Sequence, residues 1–228
     1  MSDSEVAVIV GAGQGLSAAL ARRLADDGAR VVLAARDVAK LAPLASEIEA
    51  RTVTCDAGEP RAVEALFASV DAEEGAPSLV VFNPSRRVRG ALVELDAEAV
   101  AEAIKVTAFG GFLVGQAAAR RMLERRAGSI LFTGASASVK GYPRSAAFAM
   151  GKFALRGLAQ SMARELAPEN IHVAHFVIDG GIRKPGAHDA GDSTLDPDAI
   201  ARAYIDVHRQ HRSAWTWEVE LRPWVETF

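Results

Sequence analysis

The sequence predicts an α/β fold: a single Rossmann-type domain with a doubly wound parallel sheet between two layers of helices. Three observations carry the prediction. Residues 6–10 are an apolar run of strand length, a glycine-rich turn follows at once, and leucines then recur at helical spacing from Leu16. A second apolar run at residues 31–35 completes a strand–helix–strand unit of about 30 residues, which is typical of a right-handed parallel crossover.

The same alternation of strands and helices continues along the chain. Apolar runs at residues 52–55, 79–82, 129–132 and 172–177 predict further strands, and residues 63–70, 96–122 and 145–166 predict helices between them. A last helix is expected to begin at Pro197 with Asp196 as its cap and to turn Ile200, Tyr204 and Val207 inward. Residues 180–196 are rich in Gly, Asp and Ser and predict a lid over a substrate site.

The glycine-rich turn predicts a bound dinucleotide. It reads Gly11, Gly13, Gln14 and Gly15, with Leu16 opening the helix. Glycines permit positive φ and a close approach of pyrophosphate to the backbone, and the helix N-terminus attracts the negative charge. We therefore expect residues 1–228 to form one NAD(P)-binding domain.

Arg36 follows the second predicted strand and favours NADP(H) over NAD(H). NAD sites usually carry an acid at this place for the ribose hydroxyls, whereas NADP sites use an arginine for the 2′-phosphate. Asp37 comes one residue too late in the chain to bind the ribose hydroxyls in this way. The alternative is that Arg36 is only a solvated charge at the end of a strand.

Composition limits the class of protein. With 228 residues, 50% hydrophobic, and a net charge of −3, the chain can bury one core and is not expected to bind nucleic acid. Cys55 is the single cysteine, and the N-terminus lacks the features of a signal peptide, which favours a cytoplasmic location. Without a long apolar run, a CxxC pair or an HExxH motif, we expect no membrane partner and no metal site.

The whole chain resembles the short-chain dehydrogenases/reductases. The glycine turn of that family matches residues 10–17, with serine in place of the last glycine. The resemblance implies that Asp56, after the third strand, contacts adenine. The Asn-Asn-Ala-Gly segment of the family loosely matches residues 82–85, with Asn83 at its second position, and residues 213–221 resemble its last loop and strand.

At the catalytic positions the sequence departs from the family. The motif Tyr-x-x-x-Lys aligns with Phe148 and Lys152, so the lysine is retained and the tyrosine that transfers the proton is absent. The serine that orients the carbonyl aligns with Ala135, and the helix-four asparagine aligns with Thr107. The resemblance therefore implies an atypical member with a degenerate catalytic tetrad, in which Lys152 also binds the nicotinamide ribose.

Other groups are candidate substitutes for the missing hydroxyls. Tyr142 lies in the loop between the predicted strand at residues 129–132 and the predicted helix at residues 145–166. Its hydroxyl could reach the nicotinamide, or the ring could be packed in a turn. Ser136 and Ser138 could orient a carbonyl or satisfy local backbone groups. His188, in the predicted lid, could transfer protons or be a solvated loop side chain.

The segment after the sixth strand completes the expected cofactor site. The resemblance places Gly180 and Ile182 against the cofactor, while the proline before the glycine is replaced by Asp179, and Lys184 stands where a threonine would bind the carboxamide. Asp179 and Lys184 could lie near the nicotinamide ring. Alternatively, Asp179 caps the following turn and Lys184 is exposed.

The leading functional hypothesis is an NADP(H)-dependent oxidoreductase acting on an alcohol/carbonyl pair by a variant mechanism. The competing hypothesis is a non-catalytic NADP(H)-binding or sensing protein. The basic residues Arg86, Arg87 and Arg89 could steer a small anionic substrate or be a solvated charge run. The resemblance also implies a homodimer or homotetramer built through the predicted helices at residues 96–122 and 145–166, in which small residues permit close packing.

Overall fold

A computed structural model describes residues 5–227. Within this part of the chain seven strands form one parallel sheet in the order β3-β2-β1-β4-β5-β6-β7. The strands are β1 (Val6–Val10), β2 (Arg30–Ala35), β3 (Arg51–Thr54), β4 (Leu79–Phe82), β5 (Gly128–Thr133), β6 (Ile171–Ile178) and β7 (Glu218–Leu221). The predicted doubly wound α/β fold is confirmed.

Helices cover both faces of the sheet. They are α1 (Leu16–Asp26), α2 (Ala42–Glu47), α3 (Pro60–Glu73), α4 (Ala97–Ile104), α5 (Gly110–Arg125), α6 (Ala146–Leu166) and α7 (Pro197–His208). Helices α1, α2 and α7 pack on one face, and α3, α5 and α6 pack on the other, with α4 against α6. Strands β1, β4 and β6 are buried throughout, which explains why they are continuous apolar runs rather than alternating ones.

Several element bounds predicted from the sequence need correction in detail. The helix expected over residues 96–122 runs on to Arg125, and a π-helical turn at Lys105–Phe109 joins α4 to α5. The third strand ends at Thr54 rather than Cys55. The sixth strand is longer than expected at both ends, because Ile171 and Ile178 are also buried in it.

The predicted start of α7 is confirmed. The Asp196 carboxylate accepts a hydrogen bond from the Asp198 amide at 2.7 Å, and Pro197 occupies the first turn, where its missing N–H costs nothing. Ile200, Tyr204 and Val207 are buried against the sheet. The signal-peptide prediction concerns residues 1–5, of which residues 1–4 lie outside the described part of the chain.

The sheet order creates a crevice at the carboxyl end of β1. Strands β2 and β4 leave β1 on opposite sides, so the loops after these strands separate there. Ligands of open α/β sheets bind at such a switch point. No helix within residues 5–227 is both long and apolar enough to cross a bilayer.

Candidate active site

The turn after β1 is shaped by a close approach between two backbones. Gly11 has φ of 78°, and a Cβ there would lie 2.6 Å from the Pro84 nitrogen, so the position requires glycine. The amides of Gly11 and Ala12 both donate to the Ala34 carbonyl, at 2.9 and 3.0 Å. A Cβ at Gly13 or at Gly15 would meet no atom within 4 Å, so the outer side of the turn is open to a ligand.

A side-chain link ties this turn to the loop after β4. The Asn83 amide nitrogen donates to the Ser17 hydroxyl at 2.7 Å, and the Ser17 hydroxyl lies 3.5 Å from the Gly11 carbonyl oxygen. The serine that replaces the last family glycine therefore fixes Asn83 against the turn. Sequence reasoning noted both residues without pairing them, because 66 positions separate them in the chain.

Three adjoining cavities run along the carboxyl edge of the sheet. The first, of about 600 Å³, is called the Arg36 cavity. The sequence-predicted residues that line it are Gly11, Gly13, Gln14, Arg36, Asp56 and Asn83. Arg36 is exposed into it, whereas the Asp37 carboxylate pairs with Lys40 at 2.9 Å, and this hydrogen bond lowers the pKa of Asp37.

The second space, the turn cavity, measures about 300 Å³ and is bordered by the glycine turn and the loop after β6. Its sequence-predicted residues are Gly13, Gly15, Leu16, Asn83 and Ile182. Lys184 is exposed at its rim.

The third space, the Lys152 cavity, measures about 610 Å³. The sequence-predicted residues that line it are Asn83, Ser136, Tyr142, Phe148, Lys152, Gly180 and Ile182, and Arg87 and Glu226 line it as well. Asn83 borders all three cavities, so the residues assigned from the sequence to the cofactor lie along one groove with Tyr142 and Ser136.

Lys152 reaches the third cavity from α6 but is almost entirely buried. Its side-chain nitrogen donates to the Thr133 carbonyl, at the end of β5, at 2.6 Å. Burial, followed by repulsion from Arg87, lowers the pKa of Lys152 to about 7. The amine can therefore exchange a proton near neutral pH.

At the positions that the resemblance assigns to the rest of the tetrad, the structure shows the following side chains. Phe148 and Ala135 are buried beside the cavity. Thr107 is buried in the π-helical turn, where its hydroxyl accepts a hydrogen bond from the Arg86 amide at 3.2 Å. Ser138 is also buried and accepts from the Ala135 amide at 3.1 Å, so it supports the backbone, as its alternative interpretation held. Ser136 lines the cavity.

Tyr142 stands in a charged arrangement at the rim of the Lys152 cavity. Its side chain is 44% exposed, and Lys140 lies beside it, with the ammonium 5.9 Å from the ring centre. Lys140 also donates to the Asp179 carboxylate at 3.3 Å. Hydrogen bonding to the Tyr142 hydroxyl, and then to Asp179, raises the pKa of Lys140.

This arrangement corrects the capping alternative for Asp179. Its side chain does not cap the following turn, because one carboxylate oxygen accepts from Lys140 and the other is buried without a hydrogen-bond partner among residues 5–227. His188 is exposed and lines none of the three cavities, which agrees with a solvated loop side chain.

The segment predicted as a lid has internal structure of its own. Ile182 and Leu195 form a bridge, and Asp189 accepts hydrogen bonds from Ser193 and from the Thr194 amide and hydroxyl, which lower the pKa of Asp189. The Trp224 indole donates to the Gly191 carbonyl at 2.8 Å. The C-terminal segment thus packs on the loop of residues 180–196. That this loop acts as a lid stays a prediction.

Comparison with known proteins shows the family of this chain. A family model described as short chain dehydrogenase matches residues 5–189. The chain belongs to the short-chain dehydrogenase/reductase family. A short-chain dehydrogenase from Rhodopseudomonas palustris is 37% identical, with a TM-score of 0.85 and coverage of 96% of this chain and 99% of that one.

Two further relatives carry descriptions of chemistry. A metagenomic short-chain oxidoreductase solved in complex with NADP is 30% identical, with a TM-score of 0.86 and coverage of 99% of this chain and 100% of that one. The 3-oxoacyl-acyl-carrier-protein reductase MabA of Mycobacterium tuberculosis is 29% identical over 179 residues, which are 78% of this chain and 70% of that protein. The family is thus one of oxidoreductases that has NADP-bound members.

Proposed function

We propose that this protein is an NADP(H)-dependent oxidoreductase acting on an alcohol/carbonyl pair. The observation that carries the proposal is the groove itself: the Arg36, turn and Lys152 cavities adjoin at Asn83 and hold the residues expected for both halves of a dinucleotide and for a carbonyl substrate. Membership of an oxidoreductase family with an NADP-bound relative supports the same conclusion.

The residues of the groove fit the cofactor. A Cβ at Gly11 would collide with Pro84, while the turn stays open at Gly13 and Gly15 for a pyrophosphate. Arg36 would bind the 2′-phosphate and Lys152 the nicotinamide ribose. When bound, the reduced cofactor supplies a hydride; the chain supplies orientation and the proton.

The preference for NADP(H) over NAD(H) is tested at Arg36. A charge-assisted hydrogen bond to phosphate contributes about 1.5–3 kcal/mol, so NADPH should bind at least about tenfold more tightly than NADH. Titration by nicotinamide fluorescence should show this preference lost in Arg36→Ala and kept in Arg61→Ala, an exposed arginine on α3. Equal affinities in the wild type would remove the assignment.

For the proton we propose Tyr142, with Ser136 orienting the carbonyl. The tetrad is degenerate at Phe148 and Ala135, and Tyr142 is the phenol that lines the Lys152 cavity. The Lys140 ammonium, which donates to Asp179 at 3.3 Å, lies beside the Tyr142 ring and places a positive charge at this rim of the cavity.

Removal of the Tyr142 hydroxyl tests this assignment. General acid catalysis is worth about 10²–10⁴ in rate, so Tyr142→Phe should lower kcat by that range and leave NADPH affinity unchanged. Tyr204→Phe is the control for loss of a phenol, because Tyr204 does not line the cavity. Its buried hydroxyl bonds to the Thr133 hydroxyl at 2.9 Å, so the thermal stability of this variant is measured alongside its activity. Equal turnover of the two variants would exclude Tyr142 as the acid.

One observation favours the competing hypothesis of a non-catalytic NADP(H)-binding protein. Phe148 is buried and covered by the Arg87 guanidinium, 4.3 Å from the ring centre, where the family has its proton donor. Tight NADPH binding without turnover of any carbonyl in a broad panel would select this hypothesis. Steady turnover of one carbonyl would exclude it.

We also propose that the chain forms a homodimer or homotetramer through the α4–α5 segment and α6. Exposed apolar side chains on these helices support the proposal: Phe109, Phe112, Met150 and Phe153. Light scattering of the wild type should give a mass that is a multiple of the 24.1 kDa chain mass. The double variant Phe112→Glu with Phe153→Glu should have a measured mass closer to that of the monomer. A wild-type monomer would contradict the proposal.

A further inference from the structure

Arg87 is an exposed cation that lines the Lys152 cavity, and the proposed reaction gives it no role. It follows β4 by five residues, and its guanidinium lies over the Phe148 ring, 4.3 Å from the ring centre. A guanidinium over an aromatic face is held by the negative face of the ring. The phenyl group at position 148 therefore serves as a platform that aims Arg87 into the cavity.

Arg87 has no ion-pair partner in the described part of the chain. The neighbouring Arg86, by contrast, pairs with Glu102 at 3.7 Å. Burial, and then repulsion from Arg89, lowers the pKa of Arg87. Arg87 in turn disfavours the charged form of Lys152. Two basic side chains thus face one cavity, and an anion placed there would favour the charged form of each.

We infer that Arg87 binds the carboxylate of the substrate, and that the substrate class is a small oxo acid or the corresponding hydroxy acid. That the substrate has a carbonyl or hydroxyl group depends on the proposed function. That it has a carboxylate depends only on Arg87. A planar guanidinium with a free edge matches a carboxylate through two parallel hydrogen bonds. Glu226 lines the same cavity, and its negative charge would oppose a doubly charged phosphate more than a singly charged carboxylate.

The first experiment measures binding without turnover. Isothermal titration of the protein saturated with NADP⁺ would compare acetoacetate with its methyl ester, and 2-oxobutanoate with butanone. In each pair the uncharged compound keeps the carbonyl and lacks the carboxylate. We expect at least one acid to bind at least about tenfold more tightly than its uncharged partner, since a hydrogen bond to a charged group is lost.

Matched arginine variants locate the effect. Arg87→Met should abolish the preference for the acid, and Arg87→Lys should retain part of it, because the charge remains without the bidentate edge. Arg86→Met is the control, since Arg86 is already paired with Glu102. The inference is overturned if acids and uncharged partners bind equally, if Arg86→Met loses the preference as Arg87→Met does, or if Arg87→Met weakens NADPH binding by the same factor.

The same variants separate this inference from the proposed function. If acids bind through Arg87 but no carbonyl is reduced, the carboxylate site stands and the oxidoreductase proposal fails. If uncharged ketones are reduced with an unchanged kcat/KM in Arg87→Met, and acids gain nothing over them, the oxidoreductase proposal stands and the carboxylate site fails.

Discussion

Lys152 makes the stability of the protein depend on pH in a defined direction. The amine is 2% exposed, and its pKa falls from 10.5 to about 7 in the folded protein without cofactor. Between these values the unfolded chain binds a proton that the folded chain releases, so the free energy of unfolding rises with pH across this window. At about 1.4 kcal/mol per pH unit the rise is about 5 kcal/mol, as an order of magnitude.

Substitution by methionine removes this titration. Lys152→Met also deletes the hydrogen bond to the Thr133 carbonyl, which costs about 1–3 kcal/mol at every pH. The two effects are separable because only the titration changes with pH. The free energy of unfolding of the wild type, minus that of Lys152→Met, should therefore increase from about pH 7 to about pH 10.

Urea unfolding followed by tryptophan fluorescence measures this difference at a series of pH values. Lys40→Met is the matched control, because Lys40 is exposed and paired with Asp37 at the surface. The curve of Lys40→Met should run parallel to that of the wild type. Parallel curves for Lys152→Met and the wild type would refute the argument that burial depresses the pKa of this amine.

Three further predictions concern the same region. A Cβ at Gly134 would lie 2.3 Å from the His175 ring nitrogen, so Gly134→Ala should lower the free energy of unfolding by about 1–3 kcal/mol. A Cβ at Gly141 would meet no atom within 4 Å, so Gly141→Ala should be nearly neutral in the same urea titration. Burial lowers the pKa of His175 from 6.5 to about 4. Lowering the pH through this window should therefore reduce the free energy of unfolding of the wild type by about 3 kcal/mol, and that of His175→Gln by much less. Equal reductions would contradict the argument that burial depresses this pKa. Phe148→Tyr with Ala135→Ser should raise NADPH-dependent reduction of a diketone by about 10² or more, and a stable, cofactor-binding double variant without this gain would count against a latent reductase site.

The sequence by itself determined the fold and the position of the groove. Continuous apolar strands, a glycine turn and a helical leucine repeat are local signals, and each is set by neighbours within a few positions. The crevice then follows from topology, because parallel strands place their carboxyl ends at one edge. The turn itself assigned Gly11 to this groove, and the family resemblance assigned Asp56, Asn83 and Lys152 to it. The first three follow separate strands, and Lys152 lies on α6.

Only the tertiary structure decided how the side chains of the groove pair. The link from Asn83 to Ser17, the ion pair from Lys140 to Asp179, and the guanidinium of Arg87 over Phe148 join residues far apart in the chain. The pattern of residue types does not encode such contacts, because they depend on the distance and orientation of loops that pack only after the sheet has formed. The depressed pKa of Lys152 has the same origin, since burial of a side chain is a property of the packed core rather than of its neighbours in sequence.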